Sequence, residues 1–507
     1  MKRFGVVILT LVLGISIGYR IGDAESKKKN ISVMFRLFTN TLNYVKDYYV
    51  EEKEPPDLIE KAIEGMVNSL DPFSDFYTPE ETEEFKIHTT GEFGGLGIQI
   101  GIRNGVVTVI SPIEGTPAYR AGLRPGDKII KIEDTSIIGW KLSDVVKRLR
   151  GKPGTKVTIT VSRPGVNEPL KFTITRAIIH IQAVPYFGML GDDIGYIKLS
   201  SFQKNASKEV EKALDSLFAA GATKIVLDLR SNPGGLLSEA IRVANLFIQR
   251  GALIVSTKGR VPNSNRDFFA PSDPPHGTEF PLAVLVSRGS ASASEIVSGA
   301  VQDWDRGIII GDTTFGKGSV QRVFPLQEGY QLKITTARYF TPSGRCIDRR
   351  TFENEKDTVK TPYYTKRLHR TVYGGGGIIP DVVNEGELLK PLVSKAFAKG
   401  VFFDFAVKYY KSHEKPEKPE DIHIPDSVLK EFENFMKEKK IEFTSCDFDE
   451  AKDQLRMVLE EEIAEKYFGK KGRYIVRTRR DTVLKQAIDL LKGAEKVDDL
   501  YSVMEHK

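Results

Sequence analysis

From Gly195 to Val301 the chain repeats one pattern: a short apolar run, a turn of small or polar residues, then a segment with helical periodicity. Gly195–Leu199 precedes an amphipathic stretch, Ser207–Ala220, closed by Gly221. Lys224–Arg230 reads as a buried-type strand, and Asn232-Pro233-Gly234-Gly235 turns it into a helix from about Leu236 to Phe247. Leu282–Val286 is a further strand. It delivers the chain to Ser290-Ala291-Ser292-Ala293-Ser294-Glu295 and a helical run to Val301. Strands alternating with helices bury their apolar faces as layers, so this part is expected to be an α/β domain.

The flanks have different textures. Lys2 and Arg3 precede an apolar run from Phe4 to about Ile17, which has the shape of an export signal. Gly18–Ile21 can extend it toward the span of about 20 residues that a membrane needs. The small-x-small site Gly22-Asp23-Ala24 is weak, so a retained anchor over residues 1–22 is favoured. Residues 23–90 form an expected helical region, with apolar residues at helical spacing over Met34–Val45 and Leu58–Leu70. Gly94–Ile100 reads as a turn entering a strand. Val106–Ile110, Lys128–Ile132, Lys156–Arg163 and Leu170–Arg176 are further strands, with helices at Pro117–Leu123 and Leu142–Leu149. Residues 346–377 are polar and read as irregular, and 385–507 as a charged helical extension whose basic stretch Lys470–Arg480 is expected to be a solvated face.

The 507 residues exceed one domain's usual length. Net charge is only +6, and no nucleic-acid motif accompanies it, so nucleic acid is not an expected partner. Two cysteines, Cys346 and Cys446, build neither a disulfide framework nor a thiolate zinc site. The seven histidines lack HExxH spacing, and no metal or cofactor is expected.

The serine turn and Lys317, 25 residues after Ser292 in Thr314-Phe315-Gly316-Lys317-Gly318, carry the chemistry. A serine is a nucleophile only when something takes its proton, and a desolvated lysine can do so. Making an ordinary lysine, near ~10.4, neutral around pH 7 costs about 4 kcal/mol. A serine on a strand-to-helix turn is expected to be exposed, at the positive end of a helix dipole. The Ala293 N–H, with one from Gly234-Gly235, can hold a developing oxyanion; such donors supply ~3–4 kcal/mol each. Gln321 can orient the lysine amine. The lysine loop is no phosphate-binding loop, since Gly318 stands where Ser or Thr is required.

Residues Gly95-Leu96-Gly97-Ile98, with Ala121-Gly122-Leu123-Arg124-Pro125-Gly126-Asp127-Lys128, resemble a PDZ domain and its carboxylate-binding loop. Successive N–H groups in a glycine turn make a nest for a carboxylate, and the adjoining strand edge can add a peptide strand. The blocks Asp228–Gly235, Ser290–Gln321 and Gly375–Val382, in this order, resemble the carboxy-terminal processing peptidases, or tail-specific proteases. The resemblance covers about residues 31–345, then resumes at Gly375. It implies Ser292 as nucleophile, Lys317 as general base and Gln321 as the residue orienting it. It also implies a crotonase-like α/β core acting on proteins with accessible C-termini, and the N-terminal segment predicts an exported, extracytoplasmic enzyme anchored to the inner membrane. A homo-oligomer or an adaptor is compatible with it. The expected division is an anchor (1–22), a helical region (23–90), a PDZ domain (91–178), a protease core (179–384) with an insertion at about 346–377, and a helical extension (385–507). The insertion and the long extension depart from the family pattern.

Overall fold

The computed structural model describes residues 30–350 and 361–505, so the anchor expected over residues 1–22 lies outside the described residues. No helix among the described residues is long and apolar enough to cross a membrane. The chain divides into two compact units. One comprises residues up to Pro79 with Arg322–Thr335, and the other Glu80–Gln321 with Thr336 onward.

The smaller unit holds the helices Ile31–Tyr48 and Pro55–Asn68 and the strand Asp75–Tyr77, paired antiparallel with Gln331–Lys333. Pro55 opens the second helix, where its missing N–H costs nothing. Phe76 stacks on Tyr330, whose hydroxyl donates to Glu60. The helix Ile31–Tyr48 has no buried residue, and Ile31, Phe35 and Leu37 stand exposed.

In the larger unit, a six-stranded antiparallel sheet runs in the order Ile98–Arg103, Val106–Pro112, Lys128–Ile132, Lys156–Ser162, Leu170–Thr175, with the short strand Thr135–Ser136 paired to Lys128–Ile132. Leu96, Val109, Ile129, Val145 and Ile159 fill its core. The helix Leu142–Leu149 has the bounds that its periodicity predicts. Gly94-Gly95 departs from its expected turn. Glu92–Gly95 is a strand paired with Ala177–His180, which closes the neck of this module.

The α/β expectation is met by a six-stranded sheet, ordered Tyr186–Leu190, Ile194–Lys198, Lys224–Asp228, Leu282–Val286, Ile308–Gly311, Val382–Val383. All neighbours are parallel except the first pair. Parallel strands are buried on both faces, hence their unbroken apolar runs. Ile225 and Leu227 face a core shared with the helices Ala206–Ala219, Leu237–Asn245 and Ala293–Asp303. The alternate residue Val226 and its neighbours Ala283 and Leu285 pack against Leu484, Ala487 and Leu491. The second face of the sheet is therefore covered by the helices Thr482–Lys492 and Val497–Glu505. Residues 392–476 form a helical core of their own, around Phe402, Phe432 and Leu459.

Two sequence expectations are corrected. Residues 346–377 are not irregular throughout. Ile347 and Asp348 are buried, and Pro362–Tyr364 pairs with Thr371–Tyr373 because the Arg367 and Leu368 N–H groups and the Arg370 guanidinium anchor that hairpin to the Asp305 carboxylate. The basic stretch Lys470–Arg480 is not wholly solvated. The helical segment Ser445–Thr478 breaks at Gly469, φ 65° and ψ −163°, and beyond that break Arg473 bridges Glu461, Glu462 and Glu465 before it. Cys346 is buried and Cys446 exposed.

Candidate active site

The strand Leu282–Val286 ends in a turn, and Ser292 caps the helix Ala293–Asp303. Ser292 has φ 54° and ψ −108°. A non-glycine residue held in so sparse a region costs about 1–3 kcal/mol and persists only where its surroundings over-determine it. Here the neighbouring turn, after Lys224–Asp228, supplies that constraint. Buried Asn232 donates from Nδ2 to Leu199 O at 3.0 Å, while its carbonyl accepts Ala291 N–H at 3.0 Å and Ser294 Oγ at 2.9 Å. Ser290 Oγ donates to Leu229 O at 2.8 Å. The hydroxyls of Ser290 and Ser294 are thus committed to backbone carbonyls of that turn. Ser292 instead meets the hydroxyl of Tyr339.

Ser292 is only 8 % exposed, which corrects the expectation of an exposed serine. Gly234 and Tyr339 close in on it. A Cβ added to Gly234 would stand 2.9 Å from both Ser292 Cβ and Ala293 N, and one on Gly235 would stand 2.4 Å from Phe202 O. Both glycines have positive φ, 99° and 151°, so this approach requires them. Asn232 Oδ1 accepts the Gly234 N–H at 2.9 Å, which commits that donor. The Gly235 N–H is then the one this turn offers beside Ala293 N–H, the first of its helix and without an acceptor inside it.

Glu295 joins this turn to the lysine loop. Its Oε2 accepts the N–H of Ser292 at 2.8 Å and of Lys317 at 2.9 Å. Its Oε1 accepts the Gly316 N–H at 2.7 Å and Thr314 Oγ1 at 2.6 Å. The carboxyl is fully buried, and that burial pushes its pKa up against the hydrogen bonds that pull it down. On its other side the lysine loop is held by Arg349 N–H to Gly316 O at 3.1 Å and Tyr339 N–H to Gly318 O at 2.7 Å. Gln321 lies on the strand that follows and donates from Nε2 to Ser319 Oγ at 2.9 Å. Burial pushes the Tyr339 hydroxyl up to about 12, against the Ser292 contact, so it is a neutral phenol at pH 7.

A second buried carboxylate, Asp228, stands at the root of the Gly234-Gly235 turn. It accepts Arg230 Nε and Nη2, Lys198 Nζ and Tyr196 Oη. Burial alone would raise its pKa; Arg230 and Lys198 outweigh burial and hold it well below the usual carboxylate range. Arg230 also reaches Asp481, from Nη1 at 2.9 Å and Nη2 at 2.6 Å.

The expected carboxylate loop is placed differently along its length. Gly95 ends a strand, Leu96 buries its side chain, Gly97 has φ 78°, and Ile98 begins the next strand. Leu96 O accepts Ala118 N–H at 2.9 Å, and Gly97 O accepts Ile113 N–H at 2.8 Å, so the loop's carbonyls are turned inward.

Sequence reasoning missed the roles of Glu295, Asn232, Tyr339 and Asp481. Only Glu295 carried a usable signal, the serine followed three residues later by glutamate that marks a capped helix start.

Compared with known proteins, residues 193–357 match Peptidase family S41, residues 108–163 match a PDZ domain, and residues 392–446 and 444–491 match the C-terminal helical domain of probable PDZ-proteases. This class is a multidomain serine peptidase. A carboxy-terminal-processing protease of Bartonella bacilliformis is 42 % identical over 326 residues, 64 % of this chain and 74 % of that one. The carboxy-terminal processing protease CtpA of Bacillus subtilis is 32 % identical over 435 residues, 84 % of this chain and 92 % of that one. A photosystem II D1 C-terminal processing protease of known structure is 29 % identical, with a TM-score of 0.38 over 69 % of this chain and 86 % of its own. The chain belongs to the carboxy-terminal processing serine proteases of peptidase family S41.

Proposed function

We propose that this chain is an exported endopeptidase working through a Ser292–Lys317 dyad, with its PDZ domain holding the C-terminal tail of an unfolded protein. In this reading Lys317 Nζ, neutral, takes the proton of Ser292 Oγ as the oxygen attacks the scissile carbonyl. The N–H groups of Ala293 and Gly235 hold the oxyanion. The lysine ammonium then protonates the departing amine, leaving an acyl-enzyme; water deprotonated by Lys317 attacks it, and Lys317 returns that proton to the departing Ser292 Oγ. Gln321 orients the amine, and no cofactor takes part. Gly95, Leu96, Gly97 and Ile98 receive the tail's carboxylate, with apolar terminal residues preferred. The core is read as crotonase-like, the division as 1–22, 23–90, 91–178, 179–384 and 385–507, and the N-terminal segment as an anchor to the inner membrane.

The observation that carries the reading is Glu295, whose single oxygen Oε2 bonds the backbone N–H of both Ser292 and Lys317. Two loops fixed to one atom cannot drift apart without unsatisfying a buried carboxyl. The test is an unfolded reporter with an apolar tail, incubated with the wild type, Ser292→Ala and Lys317→Ala. Each variant is expected to lose at least about 10³-fold in kcat. Equal turnover by all three removes the dyad.

A further inference from the structure

The helical extension reaches Arg230, at the root of the Gly234-Gly235 turn, through Asp481. Asp481 precedes the helix Thr482–Lys492 and caps it, its Oδ1 accepting the Leu484 N–H at 3.0 Å. The same carboxylate takes both terminal nitrogens of Arg230. Arg230 is otherwise bound to Asp228, and its own carbonyl accepts Lys198 Nζ at 2.5 Å. The next five residues are the turn Ser231–Gly235, in which Ser231 has φ 57° and Gly234 and Gly235 pack on Ser292, Ala293 and Phe202. A planar guanidinium between two carboxylates has one low-energy orientation, so its backbone is fixed as well. The side chains of Arg230 and Asp481 are 19 % and 10 % exposed, which leaves little solvent to substitute for either partner.

We propose that Asp481 is a positioning residue for the reaction: through Arg230 it fixes the turn that presents the Gly235 N–H, so the C-terminal extension sets the geometry of the oxyanion site. The proposal rests on the oxyanion reading given above. It gives the extension a task distinct from holding substrate. Misplacing an oxyanion donor by about 1 Å costs the transition state on the order of 100-fold and the ground state little.

The test uses the full chain and Asp481→Asn. Asparagine is as good a helix cap as aspartate, but it offers Arg230 neither charge nor a second acceptor oxygen. Measured quantities are kcat and KM on the tailed reporter, affinity for a peptide boronic acid that forms a tetrahedral adduct on Ser292, and affinity for the isolated tail peptide. The expected result is a kcat lowered roughly 10- to 100-fold and boronate binding weakened in parallel. KM and tail affinity stay within about twofold, and Asp481→Glu recovers most of the loss. Asp481→Ser, another good cap, is measured alongside, so that poor folding of one variant leaves the question answerable. If kcat and boronate affinity per folded molecule stay within twofold of wild type, the proposal is overturned. The same holds if tail binding and kcat fall together. If Ser292→Ala still cleaves, the underlying reading has failed instead.

Discussion

Two buried carboxylates hold the two halves of the site, and they are satisfied in opposite ways. Glu295 is met by three backbone N–H groups and a hydroxyl, and its pKa is raised by burial. Asp228 is met by an arginine, a lysine and a tyrosine, and its pKa is driven down despite burial. The first ties loops together without placing a cation beside the serine. The second gathers its cations, Lys198 and Arg230, at the root of the Gly234-Gly235 turn. In the proposed mechanism a positive charge near Lys317 would oppose its taking up the serine proton, whereas around the Gly234-Gly235 turn the cations would only set backbone position.

The contrast can be broken by substitution. Asp228→Asn leaves Arg230 and Lys198 buried without their shared anion, and is expected to cost about 3–5 kcal/mol in denaturant unfolding. Glu295→Gln turns one acceptor oxygen into a donor facing N–H groups. It should cost about 2–3 kcal/mol and lower kcat more than KM, because the Ser292 and Lys317 loops separate. Less than 0.5 kcal/mol for either would contradict the account of that carboxylate.

Their pH dependence should differ in sign. A depressed carboxyl stabilises the fold above its unfolded pKa, near ~3.9, and loses that contribution as pH falls toward the folded value. The gap between wild type and Asp228→Asn should therefore narrow below about pH 4. For Glu295 the raised folded pKa means its contribution is full below the unfolded value, near ~4.3, and is lost as pH rises through the folded one. The gap between wild type and Glu295→Gln should narrow as pH rises. Urea titrations at a series of pH values read both slopes, and slopes of equal sign would refute the distinction.

The smallest effect is expected at Tyr339, which touches the serine but bears no charge. Tyr339→Phe keeps the ring in the core and removes one hydrogen bond, for about 1 kcal/mol of stability. The reaction rate of Ser292 with a fluorophosphonate should change about severalfold; an unchanged rate would show that the phenol leaves the nucleophile alone.

Much of this was legible in the chain because it is local. The helix Leu142–Leu149 and the strand Leu282–Val286 announce themselves through period and apolar runs. The serine turn and the lysine loop carry small residues wherever backbones meet. Other features join residues far apart, and no local pattern marks them. Tyr339 reads as an ordinary strand aromatic, and Asp481 as an ordinary cap. The basic stretch up to Arg480 looks solvated until the break at Gly469 brings Arg473 to Glu461, Glu462 and Glu465. The serine's burial was misjudged because the strand bearing Tyr339, and its distance from the turn in sequence, leave no trace near Ser292.

The helices that cover the second face of the parallel sheet bring a consequence for biogenesis. Ile194 and Leu491 share one core although nearly the whole peptidase region lies between them in sequence. Until residues 482–505 have been synthesised and delivered, Val226, Ala283 and Leu285 face water. Contacts of such range form late and slowly. A chain still emerging from a ribosome thus carries an unfinished sheet and an unanchored Arg230 until residues 482–505 arrive.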